Sequence, residues 1–166
     1  MPAYPDLVSL VEKNLGASGF RIARGVTLPG GTPVDLAASR TKFSWKGLVI
    51  LSQHLLLRHA PSATASDFQA FFDDGFLYAK RVNGVPLLRG MQFGYIIIPF
   101  IAVDTVTPEI ITFATSLPRR HFSLFEFPFL YDLSTGQTYS YQKTAIWGAF
   151  YFSNMRAIAQ SSVANA

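Results

Sequence analysis

Hydrolysis of a phosphate ester with a divalent metal needs two or more carboxylates to hold the ion, and a positive or polar group to place the attacking water. Carboxylates and polar residues stand apart along the chain at Glu12, Asp35, the Gln53-His54 pair, and the adjacent Asp73 and Asp74. Asp35 follows the strong turn signal Pro29-Gly30-Gly31-Thr32, where an Asp also serves simply to accept from a nearby backbone N–H. Glu12 and Lys13 fit the solvated side of an amphipathic helix. Gln53 and His54 interrupt an apolar run, so a buried polar pair must find partners there whether or not it does chemistry. A second kind of chemistry, phosphate contact, is offered by Arg40, Lys42 and Lys46, which have Trp45 among them. Lys80-Arg81 and Arg119-Arg120-His121 are expected at helix C-termini, where the macrodipole alone favours cations.

Other chemistries are disfavoured. His54, His59 and His121 have no helical ligand spacing for zinc, and there is no cysteine, hence no thiolate nucleophile, disulfide or Cys-based metal site. No glycine-rich phosphate loop and no Gly-x-Ser-x-Gly elbow occurs, so no small-molecule cofactor is expected.

The elements that would position these residues follow from periodicity. Pro5 at a helix start, with Leu7, Leu10, Val11 and Leu15 at helical spacing, predicts an amphipathic first helix ending at Gly16. Residues 20–28 and 33–39 predict a hairpin, residues 39–46 a basic link, and residues 47–57 a strand buried on both faces. Ser66-Asp67-Phe68-Gln69 matches a capping box and opens a helix to about Val82, with Phe68, Phe71, Phe72, Phe76 and Ala79 on a broad apolar face. Residues 92–103 predict the most buried strand, with Pro99 marking a bulge or an unpaired side. Thr107-Pro108-Glu109 opens a short helix. Residues 122–131 and 137–143 predict a second hairpin, and residues 145–159 a closing helix, with a frayed tail beyond. The fold class expected is α/β (α+β), a mixed β-sheet with helices on both faces.

With 166 residues, 49% of them hydrophobic and 14% charged, the chain suits one core rather than disorder. One domain over 1–166 is expected: a core of 1–103, an extension of 104–160 packed on it, and a tail of 161–166. The 15 phenylalanines and mean hydropathy of +0.25 predict more apolar surface than one small core can bury, and so a homodimer, with the run Trp147, Phe150, Tyr151 and Phe152 as its basis. A net charge of +4 permits weak nucleic-acid contact without requiring it. The uncharged stretch 90–103 is shorter than the ~20 residues of a membrane span, and residues 1–10 lack a signal-peptide pattern, so a cytoplasmic location is expected.

The order helix, three strands, helix, strand resembles the restriction-endonuclease-like, or PD-(D/E)xK nuclease, superfamily over residues 5–103. In that αβββαβ core an Asp ends the second strand and an acid-x-Lys pair lies on the third. Thr32-Pro33-Val34-Asp35-Leu36-Ala37-Ala38 resembles the second strand, which would make Asp35 the metal-binding carboxylate. Over Leu48-Val49-Ile50-Leu51-Ser52-Gln53, Leu51 stands where the second acid belongs and Gln53 where the Lys belongs. Some members accept Gln at the Lys position or carry the acid on the following helix, which would suit Asp73 or Asp74; Glu12 would match the first-helix acid of the resolvase branch. Two functions follow from the resemblance: a non-catalytic binding or assembly protein on a nuclease-like scaffold, or a nuclease with a rearranged site that needs Mg²⁺. The former is expected, because a single carboxylate at the motif cannot hold the ion.

Overall fold

A computed structural model describes residues 3–45, 48–83, 93–119, 122–143 and 149–166. The expectations for Lys46, Gly47, Gln92, Arg120, His121 and Trp147, and for the start of the closing helix at Ala145, lie outside the described residues, as does the side chain of Phe150. The elements run α1 (Tyr4–Ala17), β1 (Arg21–Thr27), β2 (Pro33–Ser44), β3 (Val49–Ala60), α2 (Ala65–Val82), β4 (Phe93–Val103), α3 (Pro108–Thr115), β5 (Leu124–Glu126), β6 (Phe129–Asp132), β7 (Thr138–Tyr139) and α4 (Ala149–Ser162). The class is mixed α/β, and its first six elements follow the order helix, three strands, helix, strand.

One seven-stranded sheet has the order β1-β2-β3-β4-β6-β7, with β5 also paired to β4. The meander β1-β2-β3 is antiparallel, as short turns require. The crossover through α2 then makes β3 and β4 parallel, and β6 continues parallel to β4. All eleven residues of β4 are buried, because helices cover both faces of the sheet.

Alternation along β4 sorts the core into two layers. Ile96, Ile98, Phe100 and Ala102 join Leu7, Val11 and Leu15 of α1 and Phe152 and Met155 of α4. On the opposite face Ile101 and Val103 join Phe68 and Phe71 of α2 and Ile110 and Ala114 of α3, while Phe93, Tyr95 and Ile97 meet Phe72 and Ala79. Helix α2 approaches the sheet closely at Gly75, where an added Cβ would sit 2.6 Å from Leu56 Cδ1. Phe152, expected at a dimer surface, is fully buried within the chain, while Tyr151 is half-buried and meets Phe125 at a tilt with centroids 4.4 Å apart. Among the described residues no helix is long and apolar enough to cross a membrane.

Several boundaries differ from expectation for identifiable reasons. Residues 39–44 of the expected link are strand: β2 continues through Arg40 and Lys42 to Ser44, paired with Val49. The capping box of α2 lies two residues earlier, with Thr64 accepting from the Asp67 N–H while Asp67 accepts from the Thr64 N–H at 2.7 Å. The expected strand 122–131 is two strands, divided at Phe127-Pro128. Pro99 lies opposite that division. Ile97 accepts from the Phe127 N–H, and by alternation the missing Pro99 N–H faces the same side, where no second strand is paired to receive it. Residues 160–162 continue α4 rather than fraying, and Asn14 Nδ2 donates to the Ser162 and Ala164 carbonyls.

Candidate functional site

Hairpin register decides which of the candidate residues can meet. In the β2–β3 ladder Leu36 faces Leu57, Arg40 faces Gln53 and Lys42 faces Leu51. Asp35 therefore sits at the level of the C-terminal end of β3, roughly 20 Å along the strand from Leu51 at ~3.3 Å per residue. At that end its Oδ2 accepts from the Tyr4 hydroxyl at 2.5 Å and from the His59 N–H at 3.2 Å. The Tyr4 ring stacks on His59, whose Nε2 lies 2.9 Å from Asp104. Burial, then the hydrogen bond to Asp35 and its negative charge, raise the Tyr4 hydroxyl well above its ordinary pKa, so it stays a donor.

The remaining acids are engaged elsewhere. Glu12 pairs with Arg24 of β1. Asp74 is buried and accepts from the Gly30 and Thr32 N–H groups, the latter at 3.1 Å, which ties α2 to the β1–β2 turn. The approach is so close that a Cβ on Gly30 would lie 2.8 Å from Asp74 Cγ. Asp73 is exposed and stands 3.8 Å from Arg119. Helices α1 and α2 cover opposite faces of the sheet, so Glu12 and the Asp73-Asp74 pair are held apart by it. Among the described residues no three of His, Asp and Glu are grouped to hold a metal ion.

Arg119 is not a helix-terminal cation. Helix α3 ends at Thr115, and Arg119 lies beyond it with Nε 3.1 Å from Glu126 Oε2. Glu126 is 2% exposed. Its place in the apolar run Leu124-Phe125-Glu126-Phe127 was the available signal for a paired buried charge, and the sequence reading passed over it.

Gln53 and His54 are adjacent on a strand, so they point to opposite faces. His54 is sealed beneath α2, its Nε2 2.8 Å from Ser52 Oγ and its ring between those of Tyr78 and Tyr95. Burial lowers its pKa to about 4, so it is neutral near pH 7. Its Nδ1 has no partner among the described residues. Gln53 turns to the other face, and its Oε1 accepts from Arg40 Nε at 2.9 Å. Arg40 also donates to the Ser18 carbonyl at 2.6 Å and lies over the Phe20 ring at 4.2 Å. It is thus half-buried and held by three contacts within the chain.

Beside Gln53 a cavity of about 360 Å³ opens between the β2–β3 hairpin and α4. Lys42, Trp45, Leu51, Gln53, Tyr151 and Asn154 line it, and among the described residues no carboxylate does. Trp45 is 81% exposed and meets Phe43 edge to face with centroids 4.8 Å apart. Sequence reading had grouped Lys42 and Trp45, but Tyr151 and Asn154 come from a helix more than a hundred residues later and carry no local signal. Comparison with family models, with curated proteins and with solved structures finds no match for the chain.

Proposed function

We propose that the chain is a non-catalytic binding or assembly module on a restriction-endonuclease-like scaffold. The element order α1-β1-β2-β3-α2-β4 and the mixed sheet support the scaffold. One observation carries the functional part: the β2–β3 register separates Asp35 from Leu51 and Gln53, so the second-strand Asp and the third-strand pair do not face one cation. A hard ion that gives up hydration waters needs anionic oxygens in return, and Glu12, Asp73 and Asp74 are held in other parts of the fold. The module is read as cytoplasmic and homodimeric. For the homodimer, exposed Leu77 and Val82 on α2, with Leu117 and Phe122 between α3 and β5, supply apolar surface, and sedimentation equilibrium at micromolar concentration reads the mass directly.

The test is cleavage of single- and double-stranded DNA and RNA with Mg²⁺ or Mn²⁺, alongside calorimetric titration of Mn²⁺. Neither cleavage nor stoichiometric metal uptake is expected. Metal-dependent cleavage that disappears in Asp35→Ala would overturn this reading in favour of the rearranged-site nuclease.

A further inference from the structure

We propose that the cavity between the β2–β3 hairpin and α4 receives one base of a single-stranded nucleic acid, stacked on Trp45, with Lys42 meeting the adjoining phosphate. This rests on the reading of the chain as a binding module and names what it binds. Three features of the cavity point the same way. Trp45 keeps 81% of its surface exposed although it lines a cavity, so a large planar face is available and desolvating it is favourable. Lys42 supplies a cation with no carboxylate among the described residues of the lining to neutralise it. Gln53 is 1% exposed, its Oε1 is taken by Arg40, and its Nε2 has no partner among the described residues.

That amide is the most specific of the three. Arg40 is anchored by the Ser18 carbonyl and the Phe20 ring, so it is a positioning residue that fixes which way the Gln53 amide points. Two amide protons are then offered to an acceptor inside the cavity, and the carbonyl and ring nitrogens of a base edge are such acceptors. A base brings a π-face for Trp45, acceptors for Gln53 and a linked phosphate for Lys42 in one ligand.

The size and shape favour a single strand over its rivals. A volume of about 360 Å³ falls at the low end of small-ligand sites, which run from roughly 300 to 1,000 Å³, and suits one inserted group rather than a flat protein face. Bases in a duplex are paired and stacked and cannot enter without being flipped, whereas an unpaired base is free to do so. An acidic peptide would satisfy Lys42 and accept from the Gln53 amide, but its carboxylates bring no planar face to stack on Trp45.

The experiment is fluorescence anisotropy with a labelled single strand of about twelve nucleotides, inside the roughly 4–16 nucleotide range of compact single-strand sites, together with the matching duplex and free AMP as competitors. Wild-type protein should bind the strand at least tenfold more tightly than the duplex, with affinity falling as salt rises. Trp45→Ala should weaken binding about five- to a hundredfold, the loss of one base–aromatic stack, while Trp45→Phe stays within a few-fold. Lys42→Glu should abolish binding at moderate salt, with far-ultraviolet circular dichroism confirming that each variant is folded. Equal binding of duplex and strand, unchanged binding in Trp45→Ala and Lys42→Glu, absence of binding by the wild type, or AMP competing as well as the strand would each overturn the proposal. So would a dimer that dissociates on Trp45→Ala while strand binding persists, since the occupant would then be a second copy. Cleavage dependent on Asp35 is a separate readout, so this proposal and the non-catalytic reading fail independently.

Discussion

Gln53 and His54 are neighbours on one strand, yet they inhabit opposite kinds of surroundings. On the His54 side the polar groups are closed in against partners from the chain: His54 Nε2 to Ser52, Asp74 to the β1–β2 turn, Glu126 to Arg119, with His54 Nδ1 buried and without a partner among the described residues. On the Gln53 side a matched pair, Arg40 and Gln53, stops at a cavity mouth and leaves amide protons, a lysine and a tryptophan turned outward. Burial alone does not separate the two, because both side chains are almost wholly covered. What differs is where the unused hydrogen-bonding capacity lies: sealed beneath α2 at His54 Nδ1, and at a cavity at Gln53. A polar group that completes its bonds internally specifies the fold, and one left incomplete at a cavity is available to a ligand.

The contrast predicts that substitutions on the closed face cost stability and those at the cavity cost binding. The largest effect is expected for Arg119→Leu, which takes the cation from Glu126 while that carboxylate stays buried; about 3–4 kcal/mol should be lost in urea unfolding. A loss below about 1 kcal/mol would mean that Glu126 is held mainly by other partners.

His54 gives the next effect. Its folded pKa of about 4 lies below the ordinary 6.5, so the unfolded chain binds more protons between those values and stability rises with pH through that window. The contribution is complete above about pH 6.5 and is lost as pH falls toward 4, up to about 3 kcal/mol in all. His54→Gln should flatten that part of the stability profile measured by denaturant titration at several pH values. An unchanged slope would place His54 in water rather than under α2.

Asp74→Ala comes third, at about 2 kcal/mol, because it leaves the Gly30 and Thr32 N–H groups without their acceptor; a thermal melt reads it. The smallest change in stability is expected at the cavity. Trp45→Ala should alter unfolding by less than about 0.5 kcal/mol, since so exposed a ring contributes little to the core. A destabilisation matching that of Asp74→Ala would break the comparison, by showing that Trp45 is structural after all.

Legibility in the sequence followed the range of the interaction. Thr107-Pro108 announced α3 because a cap and a proline at the first turn act within a few residues. The buried run of β3 and the Phe face of α2 were legible for the same reason: a periodic pattern records its own environment. The start of α2 was misplaced by two residues because Thr64-x-x-Asp67 and Ser66-x-x-Gln69 are both capping patterns, and sequence alone does not rank them. The site was hidden for a different reason. Reading residues 39–46 as a link left the β2–β3 register open, and only the register reveals that Asp35 and Gln53 occupy different ends of the sheet. Gln53 itself was noticed as an interruption, but its anchor to Arg40 depends on that pairing, and Tyr151 and Asn154 reach the cavity only through tertiary packing.

The break opposite Pro99 divides the chain's outer sheet into two attachments. Three residue pairs hold β5 to β4 on one side of it, and four hold β6 on the other. With no ladder bond running across the proline, the β5 attachment can open while β6 stays zipped. Amide hydrogen exchange should therefore resolve two opening free energies along one strand: Tyr95, whose N–H bonds to the Ser123 carbonyl, exchanging with β5, and Leu133, whose N–H bonds to the Val103 carbonyl, exchanging with β6.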